Sequence, residues 1–356
     1  MNLYSSELYM KDLAETALLP FSWDKLVGSS IAISGGTGMI GSFLIDVLMY
    51  RNEHYNACTD VYVLGRNEEK ARARFQKYSE DEHFHFVKQD INEPIMDDGL
   101  NHVDYVIHAA SNTHPVAYAS DPIGTISANV IGTDNLLAWA ARLECKRFVF
   151  LSSVEIYGEN RGDTEQFDEA YLGYIDCNTM RAGYPESKRT GEALCQAYRK
   201  QKGLEVVIPR LSRVYGPTML MSDTKALSQF ILKGVHGEDI VLKSQGTQKF
   251  SYSYVADAVS GILKIMLDGA DGEAYNVASD DSDIMLKDLA GILADLGGSK
   301  VVFELPDATE AAGYSTATKA MLAVGKLKSL GWKSAYDMKR GLGNTVAILR
   351  NMSHTK

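Results

Sequence analysis

Apolar positions along this chain follow two alternating rhythms. Short runs rich in Val, Ile, Phe and Tyr stand at Ile31–Ser34, Val61–Leu64, Phe84–Asp90, Tyr105–Ala110, Arg147–Ser153 and Glu205–Leu211. Their length and their β-branched or aromatic make-up predict strands. Between them, stretches near 39–51, 67–78, 123–142 and 184–202 read as helices. Strands alternating with helices predict an α/β fold with a doubly wound parallel sheet. Ahead of the first strand, Leu3, Tyr4, Leu8, Ala14, Ala17 and Leu18 recur at helical spacing. That predicts a short helix over 3–19, packed on the domain or on a partner subunit. Beyond residue 212 the pattern loosens, with helices expected near 222–234, 255–268 and 284–296 between short polar segments. The expected organisation is a helical extension over 1–29, a main α/β domain over 30–211, and a smaller C-terminal α/β domain over 212–356. The last boundary is approximate, and segments can interleave across it.

Composition narrows the class. The chain has 356 residues, 45% hydrophobic and 23% charged, enough to bury a large core. Asp and Glu (46) outnumber Lys and Arg (36), a net charge of −10 that argues against a general nucleic-acid binder. Cys58, Cys145, Cys177 and Cys195 are too scattered for a disulfide framework or a CxxC site, so reduced thiols and no metal site are expected. No apolar run reaches the roughly 18 residues of a membrane span. The N-terminus lacks a basic segment followed by an apolar core. A cytoplasmic location with no membrane partner is the expectation.

The first strand runs into Gly35-Gly36-Thr37-Gly38-Met39-Ile40-Gly41, a G-x-x-G-x-x-G turn between strand and helix. Gly35 permits the tight turn, Gly38 a close approach of the backbone to a pyrophosphate, and Gly41 close packing of helix on strand. The pyrophosphate would rest on the amides opening the helix. This context, at the head of a βαβ series, points to a dinucleotide and a Rossmann-type domain. An acid at the end of the second strand would hold the adenosine ribose. Here the strand ends Leu64-Gly65-Arg66. Arg66 suits a 2′-phosphate, so NAD(P) is expected, with NADP favoured over NAD. Asp90, followed by Ile91, either touches the adenine or caps a turn.

Tyr184 and Lys188 stand at i and i+4, on one face of a helix. An ammonium beside a phenol lowers its pKa, making Tyr184 a general acid/base near neutral pH. Lys188 can also hold the nicotinamide ribose. Upstream, Ser153 and Glu155 leave the fifth strand at its carboxyl end, where ligands bind in such sheets. Ser153 can hydrogen-bond a substrate hydroxyl that Tyr184 deprotonates. Glu155 is either a second acid/base acting beside the oxidised carbon or a solvated loop glutamate.

These motifs resemble the extended short-chain dehydrogenases/reductases that modify nucleotide sugars. The resemblance extends to Val106–Ala110, Asn129–Leu137, Val214–Pro217, Ser253–Ala258 and Gly272–Asn276, and runs from about residue 30 to the C-terminus. Within that group, Tyr171–Lys202 is most similar to the UDP-glucuronate decarboxylases. The resemblance implies that Ser153, Glu155, Tyr184 and Lys188 are catalytic. It implies that Thr37, Met39, Ile40, Ala109 and Ala110 line the cofactor, that Asn129 supports the active-site strand by bonding backbone in its helix, and that Arg181 matches the decarboxylase pattern. It also implies a homodimer built on the helices near 123–142 and 184–202. The sequence departs from the decarboxylase pattern at Phe250, where an arginine is usual, with Lys249 adjacent. Lys243 and Arg213 replace a tyrosine and an asparagine near the nucleotide. Val154 stands where dTDP-glucose-type dehydratases have an acid.

An anionic substrate is expected to meet Arg181, Arg213 and Lys225, whose cationic heads match a diphosphate or carboxylate. Arg210 is either a further anion contact or a buried ion pair. Asn112, Thr113 and His114 follow the fourth strand, near the nicotinamide or sugar. His108, within an apolar strand, reads as a core histidine. The expected activity runs through a 4-keto sugar toward decarboxylation or 4,6-dehydration. The alternatives are a C4 epimerase, an NADP-dependent reductase of a non-nucleotide alcohol or ketone, and a non-catalytic NAD(P)-binding regulator.

Overall fold

The computed structural model describes residues 2–95, 100–113, 120–304 and 318–353. Its helices are α1 (Glu7–Ala17), α2 (Met39–Tyr55), α3 (Glu68–Arg74), α4 (Pro122–Arg142), α5 (Gly183–Lys202), α6 (Ala226–His236), α7 (Val255–Asp268), α8 (Leu286–Gly297), α9 (Gly325–Ser329) and α10 (Met338–Ser353). The strands are β1 (Ser30–Ser34), β2 (Asp60–Gly65), β3 (Phe84–Lys88), β4 (Tyr105–His108), β5 (Arg147–Phe150), β6 (Ser152–Ser153) and β7 (Val206–Leu211). They continue with β8 (Arg213–Tyr215), β9 (Ile240–Leu242), β10 (Lys249–Tyr254), β11 (Ala274–Val277), β12 (Asp283–Met285), β13 (Val301–Phe303) and β14 (Lys319–Ala320).

The large sheet is parallel, in the order β11–β7–β5–β4–β1–β2–β3, with β6 beside β7. Strand order reverses between β1 and β4, the switch point at whose carboxyl edge a crevice opens. Alternation along the strands makes two core layers. Ile31, Ile33, Val61, Val63, Ile107, Val149 and Val207 share one cluster with residues of α2 and α7. Ala32, Leu64, Val106, Phe148, Phe150 and Val206 share another with Leu136, Trp139 and Cys195 of α4 and α5. Every residue of β1 is buried, as a strand covered on both faces requires.

Several predicted elements shift for local reasons. The run Arg147–Ser153 breaks at Leu151, whose carbonyl accepts from Lys188 Nζ at 2.8 Å while β6 turns onto β7. β3 stops before Asp90, because Asp90 Oδ1 accepts from the Asn92 amide at 3.0 Å and turns the chain. Beyond residue 212, β8, β10, β12 and β14 form a four-stranded sheet and β9 pairs with β13. β11 instead returns to the large sheet beside β7.

The N-terminal segment bridges the two halves. Asp46 of α2, fully buried, accepts from Tyr4 (2.8 Å), Tyr78 (3.1 Å), Tyr9 and Arg74. Asp12 of α1 accepts from Tyr254 of β10 (2.5 Å), Tyr336 (2.9 Å) and Asn344 of α10 (2.9 Å). No described helix is long and apolar enough to cross a membrane.

Candidate active site

The glycine turn joins β1 to α2 at the switch point. Gly35 adopts φ +73°, and a Cβ there would lie 2.6 Å from the Ala110 nitrogen and 2.7 Å from the Ala109 carbonyl carbon. A Cβ at Gly41 would lie 2.5 Å from the Gly35 oxygen. The Gly38 amide donates to that same oxygen at 3.0 Å, and Gly38 caps α2. The tight contacts within the chain fall on Gly35 and Gly41, as a tight turn and close helix packing require, whereas a Cβ at Gly38 would meet only the Gly35 oxygen, at 3.2 Å. Thr37, Met39 and Ile40 lie half-buried around the helix start. Ser34 Oγ accepts from the Ala110 amide at 3.3 Å and lies 2.7 Å from His108 Nδ1, tying the β4 end to the turn. A cradle that a Cβ would fill, opening a 17-residue helix, fits the pyrophosphate of a dinucleotide.

At the far end of β2, Arg66 is exposed and its guanidinium lies 3.7 Å from Asp90 Oδ2. Asp90 therefore caps its turn and faces Arg66 together. Ile91 is buried against Gly132 of α4.

Tyr184 and Lys188 lie in the first two turns of α5 and are buried. Pro185 is accommodated because first-turn amides have no helical partner. A Cβ at Gly191 would lie 2.3 Å from the Phe150 ring, so α5 sits close on β5 and sets Lys188 Nζ over that ring at 4.8 Å. Burial pushes Lys188 down to about 7, against the opposing charge of Glu192. Tyr184 is hydrogen-bonded to Ser153. Burial pushes its phenol up to about 12, the Ser153 bond pulls it down and the Glu155 charge adds to the rise. The Lys188 ammonium, expected to make the phenol acidic, instead donates to the Leu151 carbonyl, and burial outweighs the Ser153 bond that pulls the phenol down. Ser153 Oγ also accepts from the Glu155 amide at 3.2 Å.

Around this group, the Arg213 guanidinium lies 3.5 Å from Glu155 Oε1 and stacks 3.7 Å over Phe250. Lys225 Nζ donates to Thr113 Oγ1 at 3.1 Å, and Thr218 Oγ1 donates to the Met39 carbonyl at 2.8 Å. The segment after β8 thereby reaches both the helix start and the end of the β4 loop. Asn112 precedes Thr113, half-buried, and His114 lies outside the described residues.

Other candidates fall elsewhere. Lys249 is next to Phe250 on β10, so its side chain leaves the opposite face; its charge acts on Glu165. The structure does not bring it to Arg213. Arg181 is exposed in the 3-10 turn before α5. Arg210 forms the ion pair, half-buried, forking onto Glu192 at 3.0 and 2.7 Å. His108 is a core residue, fully buried and pushed down to about 3 by that burial. Asn129 bonds a side chain, Ser187 Oγ at 3.0 Å, rather than helix backbone. Sequence reasoning passed over Thr218, Gly191 and Glu192. Glu192 carried a signal, since it stands four residues after Lys188, on the same helix face.

The family model for the NAD dependent epimerase/dehydratase family matches residues 31–278. A curated relative, UDP-glucuronic acid decarboxylase 3 of Arabidopsis thaliana, is 31% identical over 313 residues, covering 88% of this chain and 86% of the relative. UDP-glucuronic acid decarboxylase 1 of Xenopus tropicalis is 31% identical over 320 residues, covering 90% and 72%. Among solved structures, a dTDP-glucose 4,6-dehydratase from Streptomyces venezuelae with NAD bound has a TM-score of 0.76 at 25% identity, covering 90% of this chain and 97% of that one. Glycine cradle, Ser–Tyr–Lys group and these likenesses agree: the chain belongs to the NAD dependent epimerase/dehydratase family, enzymes of the extended short-chain dehydrogenase/reductase type.

Proposed function

We propose that the chain decarboxylates a nucleotide sugar acid of the UDP-glucuronate type through a 4-keto sugar. The observation that carries this reading is the Glu155 carboxylate and the Arg213 guanidinium, 3.5 Å apart, beside the hydrogen-bonded Ser153 and Tyr184. A C4 epimerase needs no second carboxylate at that place. Relatives named as UDP-glucuronic acid decarboxylases, alike over most of this chain, support the same substrate class.

Bound NAD(P) supplies a hydride acceptor, later a hydride donor, and a positive charge on its oxidised ring. The residues to hold it are those of the glycine cradle, with Ala109, Ala110 and Lys188. Arg66 at the adenosine end supports NADP. Tyr184 takes the proton of the sugar C4 hydroxyl as hydride leaves C4, and Ser153 holds the same oxygen. The resulting ketone stands β to the C6 carboxylate. The C5–C6 bond breaks, carbon dioxide leaves, and the electron pair enters the enolate at C4. Glu155 would pass a proton taken from solvent to C5, and Tyr184 would give its proton back to the C4 oxygen as C4 is reduced. Arg213 and Lys225 hold the anionic groups of the substrate.

We also propose a cytoplasmic homodimer. Ile123 and Ile131 of α4 are 77% and 49% exposed, which supports a partner helix pair against α4 and α5. The test is incubation with a panel of nucleotide sugars, following product mass and cofactor balance. Loss of the mass of carbon dioxide from UDP-glucuronate, with no net cofactor consumed, is expected. Turnover only of other sugars, stoichiometric cofactor consumption, or no turnover would contradict the proposal.

A further inference from the structure

We propose that Arg213 and Glu155 form a latch opened by an oxyanion of the substrate, so that Glu155 is released for chemistry only when that oxyanion has taken its place. This rests on the reading that a nucleotide sugar binds here; it adds what the site recognises and how recognition reaches the acid/base.

The geometry has three parts. The Arg213 head is held in place, because its Cζ sits over the Phe250 ring, 3.7 Å from the ring centre, and β8 is paired with β10, Tyr252 opposite Arg213. One edge of the guanidinium, through Nη2, faces Glu155 Oε1 at 3.5 Å. The other terminal nitrogen, Nη1, is buried and has no hydrogen-bond partner among the described residues. A buried donor left unmet is unfavourable, so the site gains by admitting an acceptor. Glu155 supplies one distant oxygen from a half-exposed side chain. A carboxylate or phosphate offers two oxygens in the plane of the fork and satisfies both edges. The Glu155 pair is long and partly solvated, so it exchanges readily. Phe250 keeps Arg213 in place during the exchange. The freed carboxylate then lies beside Ser153 and Tyr184, since Ser153 Oγ accepts from the Glu155 amide at 3.2 Å and the Glu155 charge acts on the phenol.

Calorimetric binding tests this on the full chain, with Glu155→Gln, Arg213→Met and the double variant, using UDP-glucuronate and UDP-glucose as probes. Removing the competing carboxylate should tighten UDP-glucuronate binding about threefold in Glu155→Gln, while turnover falls. Arg213→Met should weaken binding about tenfold, and the double variant should show no gain from Glu155→Gln. A loss in Arg213→Met confined to UDP-glucuronate makes the sugar carboxylate the key; an equal loss with UDP-glucose makes it the diphosphate. The latch is overturned if Glu155→Gln binds as the parent or more weakly, or if its gain survives in the double variant. Glu155 is exposed, so that arm stands even if Arg213→Met folds poorly. A parent chain that binds neither probe contradicts the functional reading itself, and the latch with it.

Discussion

Lys188 rests on the Phe150 ring with its ammonium on the Leu151 carbonyl, and Tyr184 shares a hydrogen bond with Ser153. Burial governs both groups, moving the lysine down to about 7 and the phenol up to about 12. Tyr184→Phe should therefore lose at least about a hundredfold in turnover while still binding cofactor; a near-parental rate would remove Tyr184 from the mechanism. The lysine gives a stability prediction of definite sign. Between about pH 7 and its ordinary value near 10.4, an unfolded Lys188 is protonated and the folded one is not, so stability rises with pH across that window. Lys188→Met lacks this term. Its stability relative to the parent should be greatest at pH 7 and decline toward pH 10 in urea titrations; a pH-independent difference would contradict the burial argument. The i, i+4 spacing of Tyr184 and Lys188 was legible in the sequence. The direction of the ammonium was not, because it depends on Gly191 letting α5 close on Phe150.

Among elements, β1, its turn and α2 were readable, since apolar strand, glycines and helix follow each other without interruption. The reason each glycine is needed was less readable, because Gly35 is fixed by the end of β4, some 75 residues away in sequence. Gly35→Ala combines a left-handed φ of +73° with a Cβ at 2.6 Å from backbone. It should destabilise by at least about 2 kcal/mol and abolish cofactor retention, measured by urea unfolding and by nucleotide released on denaturation; an intact, loaded variant would contradict the cradle. The short strands β8, β9, β12, β13 and β14 escaped sequence reading. Two or three residues carry no periodicity, and their pairing, as of Arg213 with Tyr252, is set by tertiary contact. The stacking of Arg213 on Phe250 was hidden for the same reason.

Across the whole molecule, the N-terminal segment joins what the sequence presented as separate parts. A helix was predictable over 3–19, but nothing in its spacing told that Asp12 would collect Tyr254, Tyr336 and Asn344 from the far end of the chain. Asp12→Ala leaves the buried Tyr254 hydroxyl unmet, while Tyr336 keeps its bond to Glu15, and should cost about 2 kcal/mol, read as a lowered urea midpoint; an unchanged midpoint would deny the bridge. If α4 and α5 carry the dimer, Ile131→Lys should give a monomer by light scattering, and an unaltered mass would place any dimer elsewhere. The central claim is that oxidation and reduction occur on one sugar within one turnover. UDP-glucuronate carrying deuterium at C4 tests it most directly: the account predicts a decarboxylated product with deuterium retained at C4, and a product with hydrogen there, its label lost to free cofactor, would contradict it.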